Sequence, residues 1–208
     1  ITVIPNFVVP MERNRDFTEH MRRKYACDGE YILCHVSNFR KVKRVDDVLR
    51  VFAKVNAEKP SKLILVGDGP ERYNCERICR DLNLCDRVIF LGKVRDTSHV
   101  LEIADVFLLP SETESFGLAA LEAMAVGVPV VSSNTGGIPE VNIHGISGFL
   151  SNVGDVDDMA KNSLDILKPE NLNNFKLNAR KQSSAFSLDI ILPMYEEIYL
   201  NLVKVSNK

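Results

Sequence analysis

A chain of 208 residues, 45% of them hydrophobic, can bury one sizeable core but would be cramped as two full domains. Lys and Arg total 26 against 28 Asp and Glu, a formal net charge of −2 that argues against a general nucleic-acid binder. No apolar run approaches the roughly 20 residues a membrane span needs, which excludes a membrane-spanning helix and leaves a soluble chain without stable membrane attachment as the expectation.

In chain order, a strand-like ITVIPNFVVP comes first, without Met or a signal-like segment, and reads as the start of a piece of a longer protein. Five short apolar runs, 31–36, 62–66, 88–91, 106–109 and 130–132, have the character of parallel strands buried on both faces. Helical patterns alternate with them, clearest in the stripe Val45, Val48, Leu49, Phe52 and Ala53. That order predicts an α/β, Rossmann-like, doubly wound parallel sheet whose ligands gather at the carboxyl ends of the strands. After the first strand, Ser37-Asn38-Phe39-Arg40-Lys41-Val42-Lys43-Arg44 places four cations in five residues at an expected helix start. Exposed cations there oppose the helix dipole by about 0.3–1 kcal/mol each, so a diphosphate would offset a cost that a plain basic surface would not. The next strand ends carry Gly67-Asp68-Gly69-Pro70, which ordinary turn chemistry explains, and Gly92-Lys93-Val94.

The segment from Ser111 to Gly137, SETESFGLAALEAMAVGVPVVSSNTGG, sets Glu114 and Glu122 eight positions apart around a Phe-Gly-Leu that opens a helix. Glu114 is placed on the strand-to-helix loop and Glu122 inside the helix. Free amides and the dipole at that helix start favour an anion, and Gly117 allows close approach. As acceptor-only groups, Glu122 suits two ribose hydroxyls, and Glu114 suits sugar hydroxyls or a developing positive charge. The competing account is a dipole-friendly acid and a solvated helix face. Gly136 and Gly137 precede Pro139-Glu140 at another helix start, where they form either a flexible loop approaching the ligand or a turn and cap. Beyond Gly148 the chain reads as helices only, at 155–167, 169–183 and 188–203, with a break at Pro193.

Other chemistries lack their signatures. There is no Gly-x-Gly-x-x-Gly after the first strand, no Walker Gly-x4-Gly-Lys-Ser/Thr, no Gly-x-Ser-x-Gly elbow and no Asp-x-Asp. His20, His35, His99 and His144 are scattered, and His35 reads as a satisfied core or strand-end residue. Five cysteines, with Cys75 and Cys79 lacking zinc-site spacing, suggest a reduced, cytoplasmic setting in which each is a core or surface residue.

The glutamate spacing, the Phe-Gly-Leu and the Gly-Gly-Ile-Pro-Glu at 136 to 140 resemble the C-terminal, donor-binding half of the retaining family 4 glycosyltransferases, which have GT-B architecture. The resemblance implies a diphosphate held by an Arg two residues after the strand and a Lys five further on. Lys43 matches the Lys, while Asn38 stands at the Arg position and Arg40 is the candidate substitute. It also implies a uracil read by main-chain atoms of Lys93 and Val94 after Gly92, and a ribose on Glu122. The diphosphate would meet amides around Ser115, Phe116, Gly117 and Leu118, and Glu114 the sugar. The segments ITVIPNFV, CHVSNFRKVKRVDDVLRVF, LILVGDGPE and LLPSETESFGLAALEAMAVGVPVV are most similar to a subgroup of that family that transfers N-acetylglucosamine from its UDP donor to L-malate in bacillithiol biosynthesis. Asn142 departs from the apolar residue usual there.

From that resemblance follow no cofactor and no metal, with Arg40, Lys43 and helix N-termini supplying the positive charge. Residues 1–187 would be the donor domain and 188–208 a helix crossing to an N-terminal domain that holds the acceptor and is absent from this chain. The fragment alone is then expected to transfer nothing; an oligomer is compatible with the sequence. The alternatives are another family 4 enzyme with a lipid or sugar acceptor, a UDP-sugar 2-epimerase of the same architecture, a non-catalytic nucleotide-sugar sensor, and a bare Rossmann-like interaction domain.

Overall fold

The computed structural model describes residues 3–9 and 15–206. Ile1, Thr2 and Pro10 of the predicted opening strand lie outside them, as do residues 207–208 of the predicted last unit. Residues 3–9 form no strand, contrary to expectation: Val8 alone bridges Ser187, its N–H donating to the Phe186 carbonyl at 2.9 Å. A helix that the sequence reading missed follows, α1 (Arg15–Tyr25).

The core is one six-stranded sheet: β1 (Tyr31–Val36), β2 (Ser61–Val66), β3 (Val88–Gly92), β4 (Val106–Leu109), β5 (Val130–Ser133) and β6 (Gly148–Ser151). All pairs are parallel, in the order β3-β2-β1-β4-β5-β6, which is the expected doubly wound arrangement. Its two faces follow from the period-2 alternation of strand side chains. Ile32, Cys34, Ile64, Phe107 and Val130 enter one buried cluster, while Leu33, Leu63, Leu65, Val106 and Val131 enter the other. Helices α2 (Val45–Glu58), α3 (Arg72–Asp81) and α7 (Val156–Ile166) contribute to the second cluster. The first is completed by α4 (Ser98–Glu102), α5 (Leu118–Ala125), the single-turn α6 (Ile138–Val141) and α8 (Pro169–Ser184).

Strand β6 was not expected, since four residues beginning with glycine carry too little apolar signal. Its neighbour makes it a strand: a Cβ on Gly148 would lie 1.9 Å from the Val130 carbonyl oxygen, so only glycine permits that close pairing. Asn142, fully buried at the end of α6, ties this edge together. Its amide nitrogen lies 3.1 Å from the Val130 and Phe149 carbonyls and 2.9 Å from Ser132 Oγ, and its oxygen accepts from Ser147 Oγ.

Two helix boundaries differ from expectation. The cations of the 37–44 run do not open a helix: Lys41–Lys43 form a single 3-10 turn and Arg44 is left-handed at φ 48°. Helix α2 starts at Val45 with Asp46 and Asp47 in its first turn, in the dipole-favoured sense, and Asp47 pairs with Arg44 at 2.6 Å. Helix α9 (Leu188–Ser206) runs through Pro193 without the predicted break. Proline deletes one backbone bond but leaves its own φ helical, and the buried Ile191 anchors the first turn.

Candidate donor site at the sheet switch point

Strand order reverses between β1 and β4, and in open α/β sheets ligands bind in the crevice outside the carboxyl ends of such strands. The loop after β1 carries Lys43 and the loop after β4 carries Glu114. Though 71 positions apart, they meet there: Lys43 Nζ lies 2.5 Å from Glu114 Oε2, with side-chain exposures of 21% and 14%. Ser111 Oγ stands 3.5 Å from the same oxygen, and Glu112 N–H donates to the Val42 carbonyl at 2.8 Å, lacing the two loops together.

The Gly136-Gly137 loop serves packing more than flexibility. Gly136 has φ 55°, and a Cβ there would lie 1.9 Å from the Glu114 carbonyl oxygen. Gly137 N–H donates to that oxygen at 3.1 Å, and Thr135 Oγ1 donates to the Glu112 carbonyl at 3.2 Å. The backbone beneath Glu114 is thereby held from below. Gly67 and Gly69 also go beyond turn chemistry: Cβ atoms there would meet the Ser37 and Asn38 carbonyl oxygens at 1.7 and 2.0 Å.

Helix α5 begins at Leu118, after Gly117 at φ 92°. Phe116 and Ser115 therefore precede the helix. The Phe116 side chain is buried edge-on against Phe186 at 5.7 Å, Leu118 is 44% exposed, and Ser115 is exposed. Glu122 is half-buried on α5, and desolvation raises its pKa above the ordinary glutamate value. It lines a cleft of about 320 Å³ together with Leu118, Ala125, Phe7 and the 96–98 turn. Lys93 and Val94 are exposed on the loop after Gly92, and neither is among the residues lining the cleft. The cleft wall on that side is Asp96, Thr97 and Ser98, with Asp96 Oδ1 accepting from the Ser98 N–H at 2.9 Å. Sequence reasoning missed this turn, although an Asp two residues before a helical Ser is a readable turn signal.

Arg40 is exposed and forms no ion pair with a described residue, and Asn38, two positions before it, is exposed as well. His35 is fully buried and satisfied, as expected: Nδ1 is 2.8 Å from the Leu108 carbonyl and Nε2 is 2.8 Å from Ser37 Oγ. Burial lowers its pKa to about 4.

A larger hollow of about 700 Å³ lies between α2 and α7, lined by Lys54, Glu58, Asp157 and Lys168, and contains none of the expected site residues. At the amino end of β4, the end away from Glu114, a largely buried charge network was also missed. Asp105 binds Arg22 and Lys176, each at 2.7 Å, and the Ile32 N–H at 2.9 Å, which fastens α1 and α8 to the start of the sheet. Among the described residues no group of three or more His, Cys, Asp and Glu could hold a metal, and no helix is long and apolar enough to cross a membrane. The cysteines are free; Cys34 and Cys75 are buried, with thiols pushed up to about 12.

Known proteins resemble this chain in sequence and fold. The family described as Glycosyl transferases group 1 matches residues 16–182. The N-acetyl-alpha-D-glucosaminyl L-malate synthase of Bacillus anthracis is 44% identical over 91% of this chain and 50% of its own length. HepE of Anabaena in complex with UDP-glucose superposes with a TM-score of 0.89 at 24% identity, over 96% of this chain and 57% of that one. The sucrose-phosphate synthase of Thermosynechococcus elongatus does so at 0.88 and 27%, over 98% and 53%. The chain thus spans about half the length of these relatives, and its sheet takes the Rossmann-like form found in GT-B glycosyltransferases. With the family matched along most of its length, the chain belongs to the group 1 glycosyl transferases.

Proposed function

We propose that the chain is the donor-binding half of a retaining, metal-independent glycosyltransferase that moves N-acetylglucosamine from its UDP donor to L-malate, a step of bacillithiol biosynthesis in the cytoplasm. The observation that carries the donor reading is the meeting of Lys43 and Glu114 across the switch point, 2.5 Å apart. The malate reading rests on the 44% identity to the Bacillus anthracis enzyme.

In this reading the ribose hydroxyls donate to Glu122, and the uracil edge meets main-chain atoms near Lys93 and Val94. The diphosphate takes Lys43, Arg40 and the free amides from Ser115 to Leu118. As the glycosidic bond breaks, charge develops on the leaving UDP. Cations and amides already in place stabilise that charge more in the transition state than in the ground state. A diphosphate at Lys43 competes with Glu114 for the ammonium group, which leaves the carboxylate to the sugar and its oxocarbenium character. The acceptor hydroxyl then attacks from the face the UDP leaves, with a UDP oxygen as base. Residues 1–187 act as the donor unit. The exposed apolar side chains of α9, Ile190, Leu192, Met194, Tyr199 and Leu200, suit a helix crossing to an acceptor-holding domain.

The test is transfer by the full-length enzyme to a panel of hydroxy acids, sugars and lipids, read by mass spectrometry and anomeric NMR. N-acetylglucosaminyl malate with retained configuration is the expected product, and the 208-residue chain alone should form none, since nothing positions an acceptor hydroxyl. Transfer to a lipid or sugar with none to malate would overturn the acceptor assignment.

A further inference from the structure

We propose that His35 and Ser37 are positioning residues for the diphosphate loop: a neutral imidazole locks the Ser37 hydroxyl, which holds Phe39 in a left-handed turn and so presents Asn38 and Arg40. The inference rests on the donor reading above and extends it to two residues with no assigned role in it.

The Leu108 carbonyl fixes the first hydrogen bond of the chain, and burial of the ring, which disfavours its charged form, fixes the next. The Leu108 carbonyl can only accept, so His35 Nδ1, 2.8 Å away, carries the proton. With the ring neutral, Nε2 is then an acceptor, and the Ser37 hydroxyl 2.8 Å away must donate to it. That leaves the Ser37 oxygen free to accept the Phe39 N–H at 3.2 Å. Phe39 has φ 41°, an unusual conformation for a bulky residue, and its ring is fully buried. The side chains on either side of it, Asn38 and Arg40, are exposed.

The surroundings keep the ring neutral and the loop in one position. The imidazole stacks on Phe107 with centroids 6.3 Å apart, and the charge facing it is Lys43, which also disfavours protonation. From the other side, Gly67 and Gly69 press against the Ser37 and Asn38 carbonyls, and the Glu71 N–H donates to the Phe39 carbonyl at 2.9 Å. A satisfied, largely buried polar chain of this kind specifies a single arrangement. It joins the ends of β1 and β4, the two strands that flank the switch point.

His35→Ala would leave a core cavity, so the informative pair is Ser37→Ala and Ser37→Thr, the second retaining the hydroxyl. Calorimetry on the 208-residue chain with UDP and with uridine is the assay, beside thermal melts. Ser37→Ala should weaken UDP binding about three- to tenfold, as expected for one lost hydrogen bond, with uridine affinity unchanged and Ser37→Thr restoring UDP. Imidazole 15N shifts between pH 6 and 8 should show His35 protonated at Nδ1 and accepting at Nε2. Equal losses for UDP and uridine, unchanged UDP binding in Ser37→Ala, or an Nε2–H tautomer would overturn the positioning role alone. An unsubstituted chain that takes up no UDP would overturn the donor reading and this inference with it.

Discussion

Glu114→Gln separates the two partners of the switch-point pair. In the free protein Glu114 holds Lys43 at 2.5 Å, and both side chains are mostly shielded from solvent. Two unit charges about 4 Å apart at an effective dielectric near 20 interact by roughly 4 kcal/mol, and desolvation returns most of it. A net ~1.5–3 kcal/mol is typical of a charge-assisted hydrogen bond. A diphosphate that takes Lys43 from Glu114 must overcome part of that amount, and the neutral amide holds the ammonium group less strongly. UDP affinity in Glu114→Gln should therefore be unchanged to about tenfold tighter. Turnover by the full-length enzyme should fall by about a hundredfold or more, the scale on which transition-state charge stabilisation is lost. The two are read by calorimetry with UDP and by initial rates, which separate binding from chemistry. Parallel losses of UDP affinity and turnover would show that Glu114 serves the nucleotide and would refute the reasoning.

UDP should bind the chain in the presence of a chelator, and Lys43→Ala should weaken it by roughly ten- to a hundredfold, as lost charge-assisted bonds do; calorimetry with and without Mg²⁺ checks both. Because burial raises the Glu122 pKa, uridine affinity should decline on acidification before an ordinary exposed carboxylate titrates, and Glu122→Gln should remove that pH dependence; uridine is the probe because it carries no phosphate to titrate. Asp105→Asn should destabilise the fold by about 3 kcal/mol or more, since Arg22 and Lys176 lose their shared counter-ion, measured by urea unfolding at pH 7. Burial pushes the Asp105 pKa up, but Lys176 and Arg22 outweigh it and hold it below the ordinary value. Its stabilisation is therefore full above the unfolded-state pKa and is lost as pH falls through the folded one, so unfolding from pH 7 to 3 should show a smaller loss of stability in Asp105→Asn than in the unsubstituted chain.

What the residues alone determined is what depends on near neighbours in the chain. The short apolar runs of β1 to β5 were legible because parallel strands buried on both faces are apolar throughout, and the stripe of α2 because a helix repeats its buried face every 3.6 residues, whatever packs against it. Lys43, Glu114 and Glu122 stood out through the cation run after β1, the glutamate spacing around Phe-Gly-Leu and the family resemblance those motifs carry. The tertiary structure decided everything that needs a distant partner. Strand β6 exists because Gly148 can approach Val130. Lys43 meets Glu114 because β1 and β4 are neighbours in the sheet, across 71 positions of sequence. His35 is the buried, satisfied histidine the sequence predicts, but only the fold shows that its partners are the Leu108 carbonyl and the Ser37 hydroxyl. Periodicity reports that a side chain is buried; only the folded chain supplies the atom it is buried against, and that atom determines its protonation, its partner and its role.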